Sequence, residues 1–302
     1  MTIRQKVAVI GLGSMGYGMA LSALRGGHRV WGSDINADRV ARLRSEGGEA
    51  DEVELVAGDL DAVAVVVLNA KQTDTVLFGE NGIVPRLHPG AVVIACATVP
   101  PAFARDMAAR CEKRGVLYLD APISGGAAKA ANGELSIMAS GRPEAFTAAE
   151  PLLDSIAERV FELGHSAGAG SAMKAVNQLL AGVHIATMAE ALTFGMTQGI
   201  QPETFVEVIS KCAGTSWMLE NRAPHIVEGD YTPRSSVNIW PKDLGIVLDI
   251  AQSCDFEAPI TAVALQQFKA AAEMGLGWDD DAAVAKVYAR KAGLRLPGEG
   301  ES

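Results

Sequence analysis

Gly11-Leu12-Gly13-Ser14-Met15-Gly16 follows directly on Val7 to Ile10, an apolar run that reads as a strand. In such a turn the first glycine permits the tight bend from strand to helix. The second lets a pyrophosphate approach the backbone, and the third lets helix and strand pack closely. An anion then rests on the helix N-terminus, where free N–H groups and the positive end of the dipole converge. A plain glycine-rich turn has the same spacing. What sets this one apart is Asp34, at the end of the next strand candidate in Trp31-Gly32-Ser33-Asp34. A carboxylate there accepts hydrogen bonds from both hydroxyls of an adenosine ribose and repels a 2′-phosphate, so NAD is favoured over NADP. Arg39 is close enough in sequence to compete with that preference, and Asp34 taken alone also reads as a helix N-cap before Ala37.

Two further constellations carry side chains suited to proton transfer. Asp120-Ala121-Pro122-Ile123-Ser124-Gly125-Gly126 follows the strand candidate Val116 to Leu119. Loops at the carboxyl ends of parallel strands are where α/β sheets bind ligands. The Ser124 hydroxyl and the N–H groups of Gly125 and Gly126 suit a concave carboxylate receptor; the bland alternative is a flexible Ser-Gly-Gly turn. Lys174 stands near the start of a long apolar segment, with Asn177 one turn later. Positions i and i+3 share a helix face, so ammonium and carboxamide can address one ligand. A lysine partly desolvated beside an apolar wall exchanges a proton near neutrality, as oxidation of a carbinol requires. An isolated lysine at a helix end more often snorkels into solvent.

Lys242-Asp243, after Trp240-Pro241, is a third candidate that on its own reads as a solvated ion pair at a helix start. His184 reads as a packed core histidine and Glu190 as a buried carboxylate tying helices together. Asp279 to Asp281 reads as an acidic run at a helix start, favourable for the dipole, and as no metal site.

The elements that must hold these groups fall into two halves. Val7 to Ile10, Arg29 to Ser33, Ala62 to Asn69, Ala91 to Ala95 and Val116 to Leu119 are apolar, often β-branched runs. Parallel strands covered on both faces have that character. Helices are expected over Met15 to Arg25, stopped by Gly26-Gly27, and over Pro101 to Arg114, opened by Pro100-Pro101. Strand and helix in alternation predict an α/β, doubly wound parallel sheet of the Rossmann type. After Gly164 the strand signals vanish, and Ser171 to Gln198, Pro202 to Cys212, Ser235 to Cys254 and Thr261 to Met274 read as helices. The expected organisation is a nucleotide-binding domain over 1–164 and an all-α C-terminal domain over 165–302. The Ser171 to Gln198 helix should be buried between domains, with Gly182 and Gly195 as places where it could break. The tail from Pro297 to Ser302 is predicted to be disordered.

Composition narrows the functional classes. A chain of 302 residues exceeds one ordinary core and suggests about two domains. Against 36 Asp plus Glu stand 26 Lys plus Arg, a formal charge of −10 with no basic run, which argues against a nucleic-acid partner. Cys96, Cys111, Cys212 and Cys254 are scattered, form no Cys/His cluster, and fit a reducing compartment. Met1 to Ile10 lacks the h-region of a signal peptide, and no stretch approaches the ~18 uninterrupted apolar residues of a membrane span. A cytoplasmic protein with no membrane partner is expected.

Taken in order, four pieces resemble the β-hydroxyacid dehydrogenases, the family related to 3-hydroxyisobutyrate dehydrogenase. They are the Gly11 to Gly16 turn, Asp120 to Gly126, the run from Gly164 through Gly170-Ser171-Ala172-Met173-Lys174-Ala175-Val176-Asn177, and Lys242-Asp243. Together they span nearly the whole chain, which is more specific than any one motif. The resemblance implies NAD as cofactor and a small hydroxy acid as substrate. Lys174 would be the general acid/base, Ser124, Gly125 and Gly126 would hold the substrate carboxylate, and Asn177 would hydrogen-bond the substrate. Lys242 would lie near substrate and nicotinamide. Gly11, Leu12, Gly13, Ser14, Met15, Gly16, Asp34, Asn69 and Thr98 complete the expected cofactor set. Many members carry two hydroxyl residues where this chain has Ala97-Thr98.

A homodimer or homotetramer with interlocking helical domains is implied as well. Lys129 to Glu134 with Met138 to Gly141, and Ser216 to Met218 through Asp230 to Ser235, are similar to members acting on four-carbon sugar acids. Trp240, a bulky ring beside Lys242, would reshape the pocket. Two other readings stay open: an NADPH-dependent semialdehyde reductase, against which Asp34 speaks, and a nucleotide-sensing module without chemistry, against which Lys174, Asn177 and Lys242 speak.

Overall fold

The computed structural model describes residues 4–299, so Met1 to Ile3 of the expected first strand region and residues 300–302 of the tail lie outside it. Two compact units result, one running through Lys174 and the other beginning at Ala175. The division in packing thus falls inside a helix, beyond the change of sequence pattern at Gly164.

The first unit alternates as its apolar runs require. Its elements are β1 (Lys6–Ile10), α1 (Ser14–Arg25), β2 (Arg29–Ser33), α2 (Ala37–Ser45), α3 (Val53–Val56), β3 (Ala62–Val65), α4 (Ala70–Phe78), β4 (Val92–Ala95), α5 (Pro101–Glu112) and β5 (Leu117–Asp120). There follow β6 (Ile123–Ser124), α6 (Gly126–Asn132), β7 (Leu135–Gly141), α7 (Pro143–Ile156), β8 (Ala157–Glu162) and the start of α8 (Ala169–Thr197). Strands β2-β1-β3-β4-β5 lie side by side and parallel. Beyond β5 the sheet turns mixed: β7 runs antiparallel to β5, β6 antiparallel to β7, and β8 parallel to β7. Those last strands carry no apolar run of the kind that marks β1 to β5, and β8 is largely exposed.

Side chains alternate across the parallel strands with period two. Val7, Val9, Ile94 and Leu119 pack with Met19 and Ala23 of α1 and Leu152 of α7. On the opposite face Ala8, Val63, Val93 and Tyr118 pack with Leu77 of α4 and Met107 and Cys111 of α5. From β1 the chain crosses to β2 and then returns to β3 on the other side. The carboxyl ends of β1 and β3 therefore flank a topological switch point, where open α/β sheets leave a crevice.

In the second unit α8 continues and is joined by α9 (Pro202–Ile209), α10 (Trp217–Glu228), α11 (Ile239–Ser253), α12 (Pro259–Ala271) and α13 (Ala285–Lys291). By length and composition α8 could cross a membrane, but Ile185, Ala189 and Leu192 are fully buried in this unit's core. Gly182 does not break it. A Cβ there would come within 2.9 Å of Trp240 and Leu244, so the glycine lets α8 and α11 cross closely.

Three sequence expectations need correction. First, α11 starts at Ile239 rather than Ser235, because Ser235 O accepts from Asp281 N–H (2.7 Å) and Val237 N–H donates to Asp279 O (3.0 Å). Those four residues pair with another segment instead of coiling. Second, Trp217–Glu228 forms the helix α10 although Pro224 interrupts its helical pattern. Third, the tail is held as far as Glu299, whose carboxylate accepts from Leu296 N–H (2.9 Å).

Candidate active site

At the end of β1 the backbone turns through Gly11 with φ +95°. A Cβ on Gly11 would overlap the Val66 carbonyl oxygen, and one on Gly16 would overlap the carbonyl oxygen of Gly11. Both positions therefore require glycine for α1 to seat on the strand end. Gly13 is different: a Cβ there would meet nothing within 4 Å. It is the N-cap of α1 and supplies no side-chain cap, so the backbone at the helix start faces open space. That cradle fits the pyrophosphate of NAD, which needs close approach to N–H groups at the positive end of a helix. Ser14 is exposed, Met15 half-buried, and Leu12 buried in the core, so only the backbone of Leu12 faces the turn.

Asp34 lies just past β2 and joins this turn. Its Oδ2 accepts from Leu12 N–H (2.6 Å) and its Oδ1 from Asn36 N–H (2.8 Å), while Arg39 Nη1 stands 3.6 Å from Oδ2. A carboxylate offers about four lone-pair sites, so acceptor capacity remains for a ribose diol. The N-cap of α2 is Asn36, whose Oδ1 accepts from Asp38 N–H (2.9 Å), and not Asp34. Asn69 is not at a strand end either. Since β3 stops at Val65, Asn69 becomes the N-cap of α4, its Oδ1 accepting from Gln72 N–H (2.9 Å). Thr98 is half-buried in the loop after β4, next to the buried Ala97.

Ser124 belongs to a strand rather than a flexible turn, paired with Ser136 of β7. Gly125 and Gly126 have φ of +133° and +81°, and nothing lies within 4 Å of where a Gly126 Cβ would be. Lys174 is only 8% exposed, so it does not snorkel into solvent.

Just ahead of Ser124 sits a residue that the motif contained but sequence reasoning gave no role. Asp120, 1% exposed, ends β5 and accepts hydrogen bonds at Oδ2 from Gly168 N–H (2.8 Å), Ser171 N–H (2.9 Å) and Ser140 Oγ (3.2 Å). Its Oδ1 accepts from Ser171 Oγ at 2.6 Å. Burial pushes this carboxyl above its ordinary value, against the pull of the Ser171, Gly168 and Ser140 donors. An acid followed at long range by a small hydroxyl residue is the only sequence signal, and it is a faint one. The buried thiols of Cys96 and Cys111 are pushed up to about 12 by desolvation, so neither is a thiolate near neutral pH.

In the second unit, two predicted substrate residues prove to be linked. Asn177 Nδ2 donates to Gln178 Oε1 (2.9 Å), Gln178 Nε2 donates to Asp243 Oδ2 (2.5 Å), and Lys242 Nζ stands 2.7 Å from Asp243 Oδ1. Gln178 and Asp243 are buried, so Lys242-Asp243 is no solvated surface pair. Gln178 gave no sequence signal; a glutamine inside an apolar helix was its only mark.

Trp240 turns away from Lys242 into the core, stacking on Phe268 at 5.5 Å and donating from Nε1 to Asp281 (3.0 Å). It is core and shapes the unit from within. Asp280 and Asp281 stand at a helix start as expected, Asp280 accepting from Ala282 N–H as its N-cap, and both are fully buried: Asp280 bonds His225 (2.8 Å) and Asp281 accepts from Arg222 (2.6 Å). Glu190 is exposed rather than buried, though it does bond Tyr288 of α13, and His184 is half-buried.

Comparison with known proteins adds the following. Residues 6–164 match the family described as the NAD binding domain of 6-phosphogluconate dehydrogenase. Residues 168–288 match the family described as NAD-binding of NADP-dependent 3-hydroxyisobutyrate dehydrogenase. The chain is 48% identical over 299 residues to an L-threonate dehydrogenase from Cupriavidus necator, covering 98% of this chain and 99% of that one. It is 45% identical over 294 residues to an L-threonate dehydrogenase from Escherichia coli K12, covering 97% and 96%. A solved 3-hydroxyisobutyrate dehydrogenase from Salmonella typhimurium superposes with a TM-score of 0.89 at 44% identity, covering 94% of this chain and 99% of that one.

Proposed function

Because this chain belongs to the 3-hydroxyisobutyrate dehydrogenase-related family and is an NAD-dependent hydroxyacid dehydrogenase, we propose that its substrate is the four-carbon sugar acid L-threonate, oxidised to a keto acid. The observation that carries this reading is the near-full-length likeness to L-threonate dehydrogenases. The buried Lys174 supports its chemical side.

When bound, NAD⁺ supplies the acceptor for the hydride that leaves the carbinol carbon. Lys174, shielded from bulk water, takes the hydroxyl proton as the carbonyl forms and returns it in the reverse direction. Ser124 and the N–H groups of Gly125 and Gly126 receive the carboxylate. Asn177 hydrogen-bonds a substrate hydroxyl, its amide oriented by Gln178. Lys242, oriented by Asp243, supplies a positive charge to substrate and cofactor. Gly11 to Gly16 with Asp34 hold the dinucleotide. Thr98 and the amide nitrogen of Asn69 complete its contacts, since the Asn69 oxygen caps α4.

The enzyme works in the cytoplasm as a homodimer or homotetramer on this reading. Its four free cysteines suit a reducing compartment, and Met173, Val176 and Leu180 form an exposed apolar stripe along α8.

A second substrate, 3-hydroxyisobutyrate, is favoured by the solved Salmonella typhimurium structure. Steady-state kinetics on L-threonate, other four-carbon sugar acids and 3-hydroxyisobutyrate, each with NAD⁺ and NADP⁺, decide between them. The highest kcat/KM is expected for L-threonate with NAD⁺; a higher value for 3-hydroxyisobutyrate would replace the substrate assignment.

A further inference from the structure

We infer that Asp120 is a positioning residue for Lys174: its carboxylate fixes the first turn of α8 to the end of the strand that leads into Ser124. The inference rests on the reading of Lys174 as acid/base and gives that residue its geometric support. Three of the four hydrogen bonds to Asp120 come from Gly168 and Ser171, which flank the start of α8. Ser171 and Lys174 are spaced i, i+3 and share a helix face. Holding the N–H and the hydroxyl of Ser171 therefore sets both the axis and the rotation of the turn that carries the amine.

Two other contacts press the same turn onto the sheet. Gly170 N–H donates to Ser140 Oγ (2.9 Å), and Ser140 in turn donates to Asp120. A Cβ on Gly170 would overlap the Met138 carbonyl oxygen and lie 2.7 Å from that of Asp120. The clamp is therefore tight, and its loss lets the turn lift.

Burial makes the ionised form of Asp120 the less favoured one in the folded chain, against the pull of its hydrogen-bond donors. A carboxyl whose folded value lies above its unfolded one favours the fold most below the unfolded value, and that contribution is lost as pH rises through the folded one. The neutral isostere should keep the clamp. An asparagine oxygen can accept from Gly168 and Ser171 N–H, and its amide nitrogen can donate to a turned Ser171 hydroxyl. Displacement of a catalytic group by about 1 Å costs on the order of 10²-fold in rate.

The test compares Asp120→Ala, Asp120→Asn, Ser171→Ala and Lys174→Ala in the full-length enzyme. It measures kcat and KM with L-threonate and NAD⁺, NADH affinity by fluorescence, and amide hydrogen exchange over 168–174. Asp120→Ala should lose kcat by about 10²-fold, with NADH affinity changed less than about twofold and faster exchange in that segment. Asp120→Asn should recover kcat to within about fivefold of the parent, and Ser171→Ala should fall about tenfold.

The inference is overturned if Asp120→Ala keeps its kcat, if Asp120→Asn is no better than alanine, or if NADH affinity falls in step with kcat. Should Asp120→Ala not fold, Ser171→Ala decides: an unchanged kcat sinks the inference. An active Lys174→Ala would sink the acid/base reading itself, whereas an inactive one beside a fully active Asp120→Ala sinks the positioning role alone.

Discussion

The nucleotide turn and the polar relay of the helical unit are built on opposite principles. In the turn, the proposed recognition is by backbone: Gly11 and Gly16 sit where a side chain would obstruct, and Gly13 leaves open space. In the relay, Asn177, Gln178, Asp243 and Lys242 meet through side chains, and the two proposed substrate residues at its ends are joined through two buried polar ones. A backbone site tolerates almost nothing at its own positions, and the side chain that joins it from outside, Asp34, is tied to it through the Leu12 N–H. A side-chain site can be weakened from one remove, through residues that never meet the ligand.

The sharpest way to break that contrast is at Gly16. Gly16→Ala forces a Cβ into the Gly11 carbonyl and should abolish NADH binding and turnover, with overpacking costing about 1–3 kcal/mol in denaturant unfolding. Its control is Gly13→Ala, which has room and should unfold within about 0.5 kcal/mol of the parent while NADH affinity still drops. Equal stability losses in the two variants would contradict the division of roles among the glycines.

A smaller effect is expected in the relay. Gln178→Ala removes a buried hydrogen bond to a carboxylate, worth about 1.5–3 kcal/mol. It should raise KM for the hydroxy acid by roughly tenfold or more while leaving NADH affinity intact, and a KM unchanged in this variant would show that Asn177 and Lys242 need no such support. Smallest is the change at Asp34, where Arg39 is already a neighbour. Asp34→Ala should weaken NAD more than NADP, read as the ratio of kcat/KM for the two cofactors. A constant ratio removes Asp34 from cofactor choice.

The same contrast explains what was legible in the sequence. The parallel strands and glycine turn could be read because their determinants are contiguous: Val7 to Ile10 runs straight into Gly11. The apolar α8 was visible for the same reason. Asp120 and Ser171 were not, because the pairing of a carboxylate with an amide far along the chain exists only after β5 and α8 meet. Gln178 was hidden likewise, as a polar residue in an apolar helix until Asp243 arrives opposite it. At Asp280 and Asp281 the helix start was legible and the burial was not, since His225, Arg222 and Trp240 close over the two carboxylates only in the fold. Asn69 was misplaced because Val66 and Val67 extend an apolar run beyond the point where the strand ends.

The central claim concerns one amine, and Lys174→Ala tests it most directly when kcat and NADH affinity are measured on the same preparation. Removal of a positioned proton acceptor should lower kcat by about 10²-fold or more while the dissociation constant for NADH stays within about twofold. Turnover at the parent rate in that variant would contradict the account.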